Sequence, residues 1–312
     1  MIDFYITRDK ELVKLNEFEN GAWINVVDPS AEEKALLIDR FNVDPTILED
    51  ALDPEESPRY EYEDEDTFII INVPIKSKDD DEFYETIPLA IFHFKNYIIT
   101  VCISEDTVLE KFLKGKTNKS KDFYTQYKTR FILQILQNTS NEYLRNLKIL
   151  EKLSDRITTN VKDSIENKEL LSLLKIEKSL VYFATSLRGN EKVLERLLRH
   201  HLIKNYPEDS DLLEDVITDN KQALEMTSLY TDILSSTMET YASIISNNQN
   251  DAMKILTSIT FVMSIPTIVS GIWGMNVWVP MQDKPFGFLI IMAVIVLLTV
   301  LVAYLLRKLR ML

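Results

Sequence analysis

Along the 312-residue chain the hydrophobic positions change their spacing several times, and each spacing predicts a different kind of element. Short runs rich in Ile, Val, Phe and Tyr read as strands: Ala22 to Val27, Thr67 to Ile75, Thr86 to Phe94 and Tyr97 to Ile103. Between the first two, Asp28-Pro29-Ser30 followed by Glu33 is a helix start with a capping-box pattern. Residues 1–118 therefore read as an α/β domain. Helical periodicity then takes over, roughly from Lys121 to Val161 and from Lys168 to Ile203. Leu133, Leu136, Leu144, Leu147 and Leu150 mark the apolar face of one, and Leu170, Leu174, Leu187, Leu194 and Leu197 that of the other. The short polar connection from Ser164 to Asn167 makes 119–206 an antiparallel hairpin. From Glu208 to Ile265 there is neither Gly nor Pro, and apolar positions recur through Leu212, Val216, Ala223, Tyr230, Leu234, Tyr241 and Ile244. One helix starting at Pro207 to Ser210 is the simplest reading, on the order of 100 Å long at 1.5 Å per residue. A stalk of that length (207–250) needs neighbours, so an oligomer packed along it is expected.

The last pattern is an absence of charge. No charged residue occurs between Lys254 and Asp283, nor from Pro285 to Leu306. About 20 apolar residues suffice to cross the ~30 Å hydrocarbon core of a bilayer. Two spans are predicted, 251–276 and 285–306, joined by an outer loop, 277–284. Arg307, Lys308 and Arg310 follow at once in the tail, 307–312, and basic residues of this kind are retained on the cytoplasmic side. Both termini are then cytoplasmic, in a multi-pass protein of the plasma membrane. No basic head leads into an apolar run at the N-terminus, so no signal peptide is expected.

The two spans differ in kind. The second is Leu-, Ile- and Val-rich, a plain lipid-facing helix. In the first, alternating steps of three and four pick out Asn250, Met253, Thr257, Thr260, Ser264, Thr267 and Gly271, with Ile255, Ile259, Phe261, Val262, Ile265, Ile268 and Val269 beside them. Hydroxyls and amides at membrane depth face protein or water. The stripe is either the small-residue seam that packs membrane helices together or the lining of a water-filled pore. Pro266 lies within this span and is a candidate kink.

Composition removes several function classes. With 6 glycines and no Gly-rich phosphate loop, nucleotide-driven transport has no support. Neither a nucleophile elbow nor zinc-ligand spacing is present, so no enzyme and no organic cofactor are expected, and no nucleic-acid partner. Cys102 is alone and reads as a small buried hydrophobe. His200 and His201 point about 100° apart on a helix and read as a solvated helix end. The net charge of −14 is concentrated in acidic stretches, Asp53 to Glu56, Glu61 to Asp66 and Asp79 to Glu82. They read as solvated turns, or as carboxylates holding a hard divalent cation against a neighbouring protomer.

Two segments carry a family resemblance. Gly271-Ile272-Trp273-Gly274-Met275-Asn276, closing an uncharged span ahead of a shorter span and a basic tail, resembles the signature of the CorA family of magnesium and cobalt channels. Leu48 to Ile71, where a Pro58-Arg59 pair precedes an acidic turn and a strand, looks like that family's cytosolic segment. The resemblance implies a homopentameric funnel: a cytosolic α/β domain with a helical hairpin, a long stalk helix and two C-terminal transmembrane helices. Five first spans would line the pore through Asn250, Met253, Leu256, Thr260, Ser264, Thr267 and Gly271, with Met253 and Leu256 as the apolar constriction. This differs from the periodic stripe only in taking Leu256 rather than Thr257. Gly274, Met275 and Asn276 would form the selectivity filter. Asp215 matches a position where the family binds regulatory Mg²⁺ between protomers, with Asp79, Asp80 and Asp81 as candidate partners. Trp273 stands where many members carry Tyr, and Val279-Pro280-Met281-Gln282-Asp283 replaces a Met-Pro-Glu-Leu loop.

The implied function is passage of Mg²⁺, with Co²⁺ or Ni²⁺ as further cargo, drawn inward by the membrane potential and inhibited by cytosolic Mg²⁺. Partners would be further copies of the chain, the bilayer and divalent cations. The altered outer loop leaves a zinc or other divalent transporter as one alternative. A membrane-anchored coiled-coil adaptor is another.

Overall fold

The protein, described by a computed structural model, is defined over residues 1–9, 11–63, 66–77, 82–105, 107–114, 124–160, 167–199, 207–280, 284–309 and 311. It divides into two compact units, Met1–Ser236 and Thr237–Leu312.

In the first unit β1 (Ile2–Arg8), β2 (Glu11–Leu15), β3 (Trp23–Val27), β4 (Arg59–Glu63), β5 (Asp66–Lys76), β6 (Tyr84–His93) and β7 (Ile98–Cys102) form one sheet in the order β2-β1-β3-β7-β6-β5-β4. Only β3 and β7 run parallel; every other pairing is antiparallel. Alternation sends Ile24, Val26, Ile70 and Phe92 to one face and Trp23, Ile69, Ile71, Leu89 and Ile91 to the other. The first face is covered by α1 (Ala31–Phe41) and α2 (Pro45–Asp50), through Leu37, Phe41, Ile47 and Leu48. The second lies under α3 (Thr107–Leu113), α4 (Lys128–Asn160), α5 (Asn167–Arg199) and the first turns of α6 (Pro207–Trp273).

Local chemistry sets the boundaries. Ser30 Oγ accepts from the Glu33 amide, and Glu33 Oε2 accepts from the Ser30 amide at 2.9 Å, the reciprocal cap expected from the sequence. Asn42, at φ 54°, ends α1 in the left-handed region that a short polar side chain tolerates. Strands β1, β2 and β4 and helices α2 and α3 go beyond the sequence reading. Glu-Leu-Val-Lys-Leu and Arg-Tyr-Glu-Tyr-Glu, the sequences of β2 and β4, carry the charge that protects exposed sheet edges, which hides them from an apolar-run criterion.

Helices α4 and α5 pack antiparallel, Tyr143 against Phe183 and Leu150 beside Ile176 and Leu180. Side chains clamp α5 to the sheet: the Asn72 amide donates to Asn190 Oδ1 at 2.9 Å, and Asn190 Nδ2 donates to the Asn72 carbonyl at 2.8 Å. Gly189 is required here, because a Cβ would lie 2.7 Å from Pro58 Cγ. The start of α6 is anchored by the buried Leu213, Val216 and Ala223, and by Asn220 Nδ2 donating to the Leu187 carbonyl at 3.1 Å. Further along, the Tyr230 hydroxyl meets Glu151 of α4. Burial first, then that hydrogen bond and the charges of Glu151 and Asp155, push the phenol up to about 12.

As expected, α6 is one helix of 67 residues that starts at Pro207 and continues through Pro266. The second unit holds the C-terminal part of α6, the turn after it and α7 (Gly287–Lys308). Arg307 and Lys308 occupy the last turn of α7, where cations oppose the helix dipole. The windows that qualify these helices to cross a membrane are only 6 % buried. A core helix of a soluble domain would be enclosed, so the exposure of so much apolar surface requires a lipid or protein environment.

Candidate ion pathway

One face of the apolar part of α6 is covered within the chain. Ser258 is completely buried and its Oγ donates to the Met311 carbonyl at 2.8 Å; Thr257, Val262, Ile265, Val269 and Trp273 are partly covered. The rest of the helix is open: Asn250, Met253, Leu256, Thr260, Thr267 and Gly271 are exposed, with Ser264 half-covered, and so are the apolar Ile255, Ile259, Phe261, Met263 and Ile268. At the single position where the two sequence readings diverge, Leu256 is 59 % exposed while Thr257 is partly covered.

The hydroxyls there donate inward along their own helix. Thr260 Oγ1 donates to the Leu256 carbonyl at 2.8 Å, Ser264 Oγ to the Phe261 carbonyl at 2.8 Å, and Thr267 Oγ1 to the Met263 carbonyl at 3.1 Å. Such back-bonding satisfies the donor locally. It leaves the oxygen lone pairs pointing outward as acceptors, suited to a species that only donates.

Past Trp273 the helix closes with the Gly274 amide on the Ser270 carbonyl at 2.9 Å, and Met275, Asn276 and Val277 are exposed in the turn that follows. Asn276 makes no side-chain hydrogen bond among the described residues, so its amide is available. A Cβ added at Gly271 would meet no atom beyond its own helix within 4 Å, so an approach to this turn of the helix is open.

The regulatory candidates are only partly within the described residues. Asp215 is exposed on α6. Asp79, Asp80 and Asp81 lie outside the described residues, as do His200, His201, Asp283 and Arg310. Among the described residues no three His, Cys, Asp or Glu side chains come together as a metal cage. The acidic turn from Asp53 already has a cation. Arg59 reaches Asp50 at 2.5 Å, Glu56 at 2.9 Å and Glu61 at 2.8 Å, so its guanidinium bridges three carboxylates and offsets one of their charges. Sequence reasoning missed both that fork and the Ser258 contact. A Pro58-Arg59 pair within a run of acids was the signal for the first; the second is one hydroxyl among many.

An α/β domain whose last helix runs on into a unit with two long, exposed, apolar helices has the make-up of a membrane protein. The chain belongs to the CorA family: the model described as CorA-like Mg²⁺ transporter protein matches residues 19–308. The cobalt/magnesium transport protein CorA of Methanocaldococcus jannaschii is 30% identical over 312 residues, covering 97% of each chain. That of Thermotoga maritima is 22% identical over 98% of this chain and 88% of its own. The complete structure of the CorA magnesium transporter from M. jannaschii superposes with a TM-score of 0.83 at 26% identity, over 99% of this chain and 98% of that one. The full-length CmaX protein shares the fold at 16% identity, with a TM-score of 0.74 over 99% and 97%. Membership places the chain among ion transport proteins and not among enzymes.

Proposed function

We propose that this chain forms a homopentameric plasma-membrane channel for Mg²⁺, with both termini in the cytoplasm and Co²⁺ as a second cargo. The observation that carries the reading is the open stripe of α6, whose hydroxyls are turned into acceptors, ending at the free amide of Asn276. Mg²⁺ gives up its waters reluctantly. A hydrated ion presents only O–H donors, so it is matched by a ring of neutral oxygens. Five copies of Asn276, with Gly274 and Met275 shaping the turn, supply such a ring. Thr267, Ser264, Thr260 and Asn250 then accept from the same water shell along the helix, and Gly271 leaves room for it. Met253 and Leu256, both 59 % exposed in one protomer, meet their counterparts as an apolar constriction. The membrane potential contributes about 2.3 kcal/mol per charge per 100 mV, hence about 4.6 for a divalent ion, and transport needs no nucleotide. The experiment is metal influx into liposomes holding the purified full-length protein. Mg²⁺ and Co²⁺ should enter in response to an inside-negative potential; selective movement of Zn²⁺ would favour a zinc transporter, and no flux of any of them an adaptor.

Regulation follows from the acidic surface. Asp215, with acidic residues of a neighbouring protomer, holds cytosolic Mg²⁺ and keeps the pentamer closed; when the ion leaves, like charges face each other and the interface loosens. Asp215→Ala removes the carboxylate that would hold the ion without adding a charge of its own. The internal Mg²⁺ concentration that half-inhibits flux should rise by about tenfold or more, within the usual range of coupling between sites. Unchanged inhibition in that variant would remove Asp215 from the regulatory site.

A further inference from the structure

Toward the β2–β1–β3 end of the sheet the strand pattern is broken. In β3, Trp23 belongs to the core under the helices, and Asn25, on the same face, places an amide where an apolar side chain would pack. Asn25 is only 6 % exposed. Its orientation is set by a relay. The Trp23 indole N–H, a donor only, donates to Thr100 Oγ1 at 2.8 Å. The Thr100 hydroxyl is thereby left to donate, to Asn25 Oδ1 at 3.0 Å. Asn25 Nδ2 must then be the end turned away from Thr100, and no acceptor meets it among the described residues. Asn25 instead lines a cavity of about 250 Å³ between the β1–β3 side of the sheet and α3.

The remaining walls define what fits. Asp3 lies opposite Asn25 across the β1–β3 pair and accepts from the Tyr5 hydroxyl at 3.2 Å and from Lys14 at 2.7 Å. Glu110 is taken up by Lys114. Glu105 also lines the cavity and has no ion-pair partner among the described residues, and Leu109, Leu113 and Val27 supply apolar surface. Burial, then the Asp3 charge and its hydrogen bond, push the Tyr5 phenol up to about 12, so it stays a neutral donor. A bare metal ion would face the Nδ2 donor end on. An anion would face Glu105 and Asp3.

We propose that this cavity binds a small organic cation carrying an ammonium group and, a few bonds away, a hydrogen-bond-accepting oxygen. The oxygen takes the Asn25 Nδ2 hydrogen, the ammonium pairs with Glu105, and the short chain between them lies on Leu109 and Leu113. The inference is independent of the transport reading, because it uses neither span.

Isothermal titration of the full-length protein in detergent tests it with 4-aminobutanamide and its two halves, butylamine and butanamide. The bifunctional probe should bind saturably, about tenfold or more tighter than either half, since a site built around a polar group rejects the analogue that lacks it. Asn25→Leu, which removes the donor and fills its volume, should lower affinity for the amide-bearing probes and leave butylamine unchanged. Glu105→Gln, an exposed change with little demand on folding, should weaken both ammonium probes and leave butanamide unchanged. Equal binding of probe and halves, no saturable binding, or affinities that neither variant alters would overturn the proposal.

Discussion

Asn276→Ala should reduce Mg²⁺ influx into proteoliposomes on the order of 100-fold while leaving the amount of folded protein unchanged. In the proposed pentamer five side-chain carbonyls would be lost from one ring, and outer-shell hydrogen bonds worth about 0.5–1 kcal/mol each sum to roughly 2.5–5 kcal/mol of lost stabilisation for the entering ion. A folding defect is not expected to mimic this. Asn276 is exposed, and the helix end before it is closed by the Gly274 amide on the Ser270 carbonyl, a backbone contact that the substitution does not touch. Asn276→Asp separates oxygen from charge. It keeps the carbonyl-like acceptor but creates an anionic ring, which should bind divalent ions more tightly and release them more slowly, since conduction needs binding weak enough to leave. Flux in Asn276→Asp should therefore fall as well, with half-saturation shifted to lower Mg²⁺. Full flux in Asn276→Ala would remove the selectivity assignment.

How much of this was legible in the sequence depends on how many residues shared each signal. The spans could be read because twenty or more uncharged positions in a row are rare outside a bilayer, and α6 because nothing from Glu208 to Ile265 interrupts it. The capping box at Ser30 was legible because four residues suffice to make it. Edge strands β2 and β4 were not, since an edge is charged in order to stay unpaired and so looks like a turn. Of the periodic stripe, Asn250, Met253, Thr260, Thr267 and Gly271 are exposed in the protomer, while Thr257 and Ser264 are partly covered. A 3–4 spacing drifts against a real helix, so periodicity alone could not choose between Leu256 and Thr257; the contact of neighbouring Ser258 with Met311 is what covers that side.

Buried polar side chains were the least legible, because their partners are remote in sequence. Trp-Ile-Asn-Val-Val reads as an ordinary strand, and nothing in it announces that Asn25 will be held by Thr100. The link from Glu151 to Tyr230 is equally remote in sequence. Glu151 looks like a solvated position on its helix and Tyr230 like an apolar position on the stalk, and only packing shows that the two meet.

The largest expected stability effect lies at another such remote pair, at Lys111. Its ammonium pairs with Glu142, tying α3 to α4 through a carboxylate whose side chain is only 4 % exposed, while Lys111 itself is 18 % exposed. Lys111→Met keeps the aliphatic stem but leaves that carboxylate without its enclosed partner. Arg145 stands 3.6 Å away but is 65 % exposed, so water shares its charge and it compensates little. Breaking a buried pair from one side costs about 3–5 kcal/mol. The partial exposure of Lys111 favours the lower figure, about 3 kcal/mol, or roughly 6–12 °C in the midpoint of thermal unfolding for a unit of this size. Adding Glu142→Leu should restore most of the loss, because desolvating two charges offsets most of what their attraction contributes. Fluorescence-monitored unfolding of the full-length protein in detergent reads both variants. Equal midpoints for Lys111→Met and the wild type would mean that Arg145 or water already satisfies Glu142. A double variant as unstable as the single one would mean that the Lys111 stem, not the charge, holds α3 in place. Because Leu109 and Leu113 of α3 also wall the cavity beside Asn25, a loosened α3 in Lys111→Met should weaken 4-aminobutanamide binding along with stability, and Glu142→Leu should restore both together.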